Sequence, residues 1–124
     1  MAEIKKSIYK NKNLTVITVS GKTTLDMIID ALKDFYHSDF TLNLLWDFSK
    51  GDARELTNYQ MREIISVAKK YAHLRKGGKT AFVVSNGVDY GLARMYEIYS
   101  DIEGHTISHN VFYDFDKAMD WLEI

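Results

Sequence analysis

Ser85 sits between the apolar run Lys79-Thr80-Ala81-Phe82-Val83-Val84 and the turn residues Asn86-Gly87. Strand, serine, turn and helix in that order match the layout of a hydrolase nucleophile elbow, with Asp89, Asp101, His105 and His109 downstream as formal triad partners. An elbow brings two backbones together and needs glycine on both sides of the serine, but Val83 occupies the first of those positions. A serine hydrolase using Ser85 is therefore the alternative reading, and the expected role of Ser85 is to end the strand and cap the helix. Gly21-Lys22-Thr23 looks like the end of a phosphate loop, but Val16, inside a strand, stands where the first glycine belongs, so ATP binding is not expected. The histidines are His37, His73, His105 and His109, and no carboxylate spacing completes a metal site around them. With 0 cysteines the chain has no disulfide, thiolate metal site or thiol nucleophile. We expect no enzyme activity, metal or cofactor.

Binding is the better use of the polar residues. Three segments follow strand candidates: Gly21-Lys22-Thr23-Thr24, Asp47-Phe48-Ser49-Lys50 with Arg54, and Ser85-Asn86-Gly87 with Asp89 and Tyr90. In an open α/β sheet such segments meet beyond the carboxyl ends of the strands, where helix starts offer unpaired N–H groups to an anion. The expected site is Asp47, Ser49, Arg54, Ser85, Tyr90 and Arg94. Asp47 and Ser49 would hydrogen-bond a ligand or brace the loops, and Arg54 and Arg94 would present forked donors to a carboxylate or phosphate. Plain caps and solvated charges explain the same residues without a ligand. Tyr96 and Tyr99 read as core, but an apolar pocket between their helix and the sheet, with tyrosine hydroxyls as polar handles and Arg94 nearby, is the other possibility. Lys69, Lys70, Arg75, Lys76 and Lys79 read as a solvated face beside a negative helix end, or as a patch for an acidic partner or lipid headgroup.

The elements that must position these residues follow from periodicity. Lys5 to Tyr9 and the β-branched run Leu14 to Val19 are strands, joined by Asn11-Lys12-Asn13 and so antiparallel. Thr23 or Thr24 caps a helix with Leu25, Ile28, Ile29, Leu32, Phe35 and Tyr36 on one face. Leu42 to Phe48 reads as a strand covered on both sides, and Ser49 to Glu55 as a polar loop. Thr57 and Gln60 form a capping box for a helix ending at Gly77-Gly78. Lys79 to Val84 is the next strand, followed by a helix with Leu92, Met95, Tyr96, Tyr99 and Ile102 inward. Residues 105 to 113 contain the last strand, and Asp114 or Asp116 caps a helix that buries Phe115, Ala118, Met119 and Leu122. The order β-β-α-β-α-β-α-β-α predicts an α/β fold. Its sheet is mixed but mostly parallel, with an antiparallel edge strand and flanking helices.

Composition narrows the function classes. The 124 residues suit one domain spanning the whole chain, and 46% apolar with 27% charged residues is globular composition. Sixteen basic against 17 acidic side chains give a net charge of −1, so nucleic acid is not an expected partner. No apolar run reaches the ~18 residues of a membrane span. The start Met1-Ala2-Glu3-Ile4-Lys5-Lys6-Ser7 lacks a signal pattern, and the expected location is the cytoplasm. The exposed first strand allows a homodimer.

Leu44-Leu45-Trp46-Asp47-Phe48, then Lys79 to Ser85 running into Tyr90-Gly91-Leu92-Ala93-Arg94-Met95-Tyr96, then Val111-Phe112 and Asp116-Lys117-Ala118-Met119-Asp120-Trp121-Leu122, carry a resemblance over nearly the whole chain. It resembles the SpoIIAA-like family of small bacterial proteins, grouped with the STAS domains of anti-anti-sigma factors and with lipid-binding CRAL-TRIO domains. The resemblance implies a STAS-like module that binds a small anionic or lipid-like ligand, or a protein partner. STAS regulators carry a phosphorylated serine in an Asp-Ser-Ser-Gly motif after a strand ending in Asp-Phe-Ser. Asp47-Phe48-Ser49 is present here, but Leu56-Thr57-Asn58-Tyr59 stands where the motif would be, and Thr57 reads as a helix cap.

Overall fold

The computed structural model describes residues 2–102 and 106–123. Five strands run β1 (Glu3–Tyr9), β2 (Leu14–Lys22), β3 (Asn43–Asp52), β4 (Lys79–Val83) and β5 (Ser108–Phe112). The helices are α1 (Leu25–His37), α2 (Asn58–Tyr71), α3 (Gly87–Ile102) and α4 (Phe115–Leu122). The sheet order is β1-β2-β3-β4-β5, with β1 antiparallel to β2 and every other neighbour parallel. The expected element order and the antiparallel edge are both present. Asn13 makes the tight connection in the left-handed region at φ 51°, a conformation its short polar side chain tolerates.

Sequential strand order has a consequence for the layers. Each parallel crossover steps the same way across the sheet, so right-handedness puts all three crossover helices on one face. Ile17, Val19, Leu44, Trp46, Phe82 and Val111 pack there with α1, α2 and α3. Leu14, Val16, Leu45, Ala81 and Val83 point the other way, against Ala118 and Leu122 of α4. Winding in one direction leaves no reversal of strand order, and hence no crevice of the kind that doubly wound sheets use for ligands.

Several boundaries differ from expectation. Residues Ser49 to Asp52 are strand rather than loop, because β2 continues beyond a register shift and pairs Ser20 with Lys50, Gly21 with Gly51 and Lys22 with Asp52. Thr24 caps α1, accepting from the Met27 N–H at 3.3 Å. The α2 capping box is complete, with Thr57 Oγ1 accepting from Gln60 N and Gln60 Oε1 from Thr57 N, each at 3.1 Å. Asn86, not Ser85, caps α3: its Oδ1 accepts from Asp89 N at 2.8 Å. Asp114 caps α4, whose Phe115 is exposed rather than buried because it lies in the first turn, beyond the sheet edge. The side chain of Ile102 and residue His105 lie outside the described residues.

The basic cluster also divides. Lys69, Lys70 and Lys76 are exposed, but Arg75 is only 2% exposed. Its Nε donates to Leu42 O at 2.9 Å, its Nη2 to Lys79 O and Thr80 Oγ1 at 2.9 Å each, and its Nη1 to Tyr36 OH at 3.3 Å. Its guanidinium also lies 5.5 Å from the Phe35 ring centre. Lys79 is half-buried, with Nζ donating to Trp121 O at 2.8 Å and lying over the Trp121 ring. These two cations clamp elements together and are not part of a solvated face.

Candidate functional site

The parallel topology brings the carboxyl ends of β2, β3 and β4 and the starts of α1, α2 and α3 to one end of the sheet, on one side of it. That is the rim expected from the sequence. Its chemistry differs from the expected anion cradle. Each helix start is closed by its own cap, from Thr24, Thr57 and Asn86. Two of the three cations there are also engaged, while Lys50 is exposed and makes no ion pair among the described residues. Arg54 grips Asp52 with Nε and Nη2 at 2.9 and 2.7 Å, and Lys22 reaches Glu55 at 2.6 Å. The Arg54 hydrogen bonds, from side chain and backbone, hold the Asp52 carboxyl down at about 2. The bond to Glu55 raises Lys22.

The six expected site residues do not converge. Asp47 follows Leu45 by two positions and so shares the α4 side of the sheet, where its Oδ1 accepts from Ser49 N at 2.9 Å. Ser49 is exposed. Arg94 is exposed on α3 and pairs with Glu97 at 3.1 Å. Ser85 is exposed at the end of β4 and makes no hydrogen bond among the described residues. Tyr90 stacks on Tyr113, ring centres 5.0 Å apart and planes 9° from parallel, which ties the start of α3 to the chain leaving β5.

The site that the fold does build is apolar. A half-open cavity of about 60 Å³ lies between α2, α3 and the sheet, with Trp46, Phe48, Phe82, Met61, Leu92 and Tyr96 among its walls. Tyr96 is core, as expected, and the alternative pocket between α3 and the sheet is also present, with a different polar handle. Tyr96 packs edge-on against Phe82 and His109, deep in the core, and burial pushes its hydroxyl pKa up. Arg94 faces away. The charged group in the cavity wall is Asp89, only 2% exposed. One carboxylate oxygen accepts from Ala53 N at a long 3.5 Å, and the other, Oδ1, has no hydrogen-bond partner. Burial raises its pKa, with the Ala53 and Asn86 hydrogen bonds opposing. The wall also depends on the chain leaving β3, where Ala53 and Leu56 turn inward and are buried. A sequence signal for this exists, since Ala53 and Leu56 interrupt a polar stretch. Among the described residues no group of three His, Asp or Glu side chains is placed to hold a metal ion. None of the helices there is long and apolar enough to cross a membrane.

No protein-family profile and no curated protein matches the chain. Solved structures do. An uncharacterised protein of the DUF3478 family with a SpoIIAA-like fold, from Shewanella loihica PV-4, is similar at TM-score 0.62 and 15% identity, over 98% of this chain and 93% of that one. An anti-sigma factor antagonist from Mycobacterium paratuberculosis is similar at TM-score 0.69 and 12% identity, over 98% and 94%. The chain has the SpoIIAA-like fold, as the resemblance in the sequence implied.

Proposed function

We propose that this chain is a non-enzymatic, STAS-like regulatory module that engages a protein partner at the strand-end rim, with the apolar cavity beneath taking a lipid-like group. The carrying observation is that the cavity-lining Ala53, Leu56 and Asp89 lie at the same end of the sheet as exposed apolar side chains. Val88 (53% exposed) lies in the first turn of α3, Tyr113 (58%) just past β5, and Tyr59 (74%) in the first turn of α2. Exposed apolar surface near a cavity is what a binding surface requires. The fold of an anti-sigma factor antagonist supports a regulatory reading.

Within this proposal Ser85, Tyr90 and Arg54 belong to the partner-facing surface, Asp47 and Ser49 brace the end of β3, and Arg94 lies at its margin. A small anion has weaker support, because caps and ion pairs already use the rim's donors other than Lys50. The β1 edge has weaker support as a dimer interface, since Glu3, Lys5 and Lys6 put charge along it. The test is site-specific photo-crosslinking in cells. A crosslinker replacing Val88 should capture a discrete partner, and one replacing Leu74, exposed at the opposite end, should not. Equal capture at both positions, or none at Val88, refutes the rim.

A further inference from the structure

We propose that the cavity beneath the rim recognises a small apolar primary amine, whose ammonium group is held by Asp89 while its alkyl portion lies against Trp46, Phe48 and Phe82. This deepens, and rests on, the reading of the rim as a binding site. Asp89 is 2% exposed and lines the cavity, and its buried Oδ1 has no hydrogen-bond partner. Its other oxygen accepts the long Ala53 N–H contact, and the Asn86 side chain lies close enough to favour the charged form. A buried carboxylate oxygen without a donor is costly, so an incoming donor gains more here than on the surface. Among the side chains lining the cavity Asp89 is the sole carboxylate, and no cation lines it. The cavity therefore opposes an anion, and an ammonium both supplies N–H donors and balances the charge. The walls select for the rest of the ligand. Trp46 and Phe48 stack with planes 4° apart, and their rings with that of Phe82 present π faces or edges to a cation and apolar area to a chain. A volume of about 60 Å³ accepts roughly four to six non-hydrogen atoms, at about 10–15 Å³ of such space each.

The experiment is an amide-resolved NMR titration at neutral pH with n-pentylamine, 1-pentanol and pentanoate, on the parent and on Asp89→Asn. Pentylamine should shift the amides of Ala53, Leu92 and Ala93 and bind about tenfold more tightly than pentanol, the usual scale for one hydrogen bond to a charged group. Pentanoate should leave those amides unmoved. Asp89→Asn should erase the preference for the amine while keeping weak pentanol binding. Pentanol binding as tightly as the amine, amine binding that survives Asp89→Asn unchanged, or no shift at those amides with any probe overturns the inference. Failure here is separable from failure of the rim as a partner surface. The first is read from probe preference and Asp89, the second from the Val88 crosslink.

Discussion

Two ionisable side chains are buried at opposite ends of the sheet, each 2% exposed, and they are treated in opposite ways. Arg75, beside the start of β4, directs four hydrogen bonds to carbonyl and hydroxyl oxygens from α1, the start of β3 and β4. No void of useful size lies beside it, only about 10 Å³. Asp89, near the carboxyl end of β4, keeps one oxygen without a donor and borders a cavity of about 60 Å³. A buried charge that is fully bonded fixes the positions of its neighbours. One left short of bonds retains affinity for something outside the chain. The surroundings of Arg75 are thus closed and hold the sheet together, and those of Asp89 are open and able to bind.

The largest effect should come from opening the closed end. Arg75→Ala strands four acceptors in a dry site, and we expect a loss of about 3–5 kcal/mol, measured by urea denaturation. A loss below about 1 kcal/mol would mean that water already reaches the clamp, and the contrast between the two ends would collapse. Gly78→Ala attacks the same region through shape. A Cβ there would stand 2.2 Å from Leu42 O, the carbonyl that accepts from Arg75 Nε. Backbone must move, and a loss of about 2–3 kcal/mol is expected from the same unfolding curves. Gly77 has a different role: its φ of +83° ends the helical segment in the left-handed region.

Legibility in the sequence follows the range of the interactions. The Thr57–Gln60 capping box, the left-handed Asn13 and the helix faces all depend on neighbours within a turn, and all were readable. Residues Ser49 to Asp52 looked like loop because Ser, Lys, Gly and Asp lack the apolar alternation of a strand. Only pairing with the extension of β2 makes them strand. Arg75 looked solvated because a basic residue after a helix usually neutralises the helix dipole. Its acceptors at Tyr36 and Leu42 lie 39 and 33 positions away, and no local pattern announces them. Asp89 was visible as a rim residue, but its burial depends on Ala53, 36 positions earlier, folding over it. The apolar pocket could be read from the aromatic helix as an alternative to plain core packing, whereas its polar handle could not.

A smaller effect tests whether the open end is closed to anions. Thr57→Ala removes the oxygen that satisfies Gln60 N and should cost about 1 kcal/mol in the thermal or urea midpoint. No cost would mean that the α2 amides are satisfied some other way and remain available, which would restore an anion site at the rim.

The smallest effect has the opposite sign and separates the two buried charges most sharply. The folded-state pKa of Asp89 is raised above 3.8, chiefly by burial, so the native chain holds that proton more tightly than the unfolded chain does. Between the unfolded and the folded value the native state binds more protons, and this group's contribution to stability falls as pH rises. Asp52 works the other way. Its carboxyl, held down to about 2 by Arg54, contributes stability above 3.8 that is lost as pH falls through about 2. Subtracting the parent's pH–stability curve from that of Asp89→Asn cancels the Asp52 limb. The variant should gain on the parent as pH rises above 3.8 and then level off, because the amide removes a buried charge but keeps its shape. Parallel curves would mean that Asp89 is already hydrated or paired, and the open end would then hold no unspent hydrogen-bonding capacity.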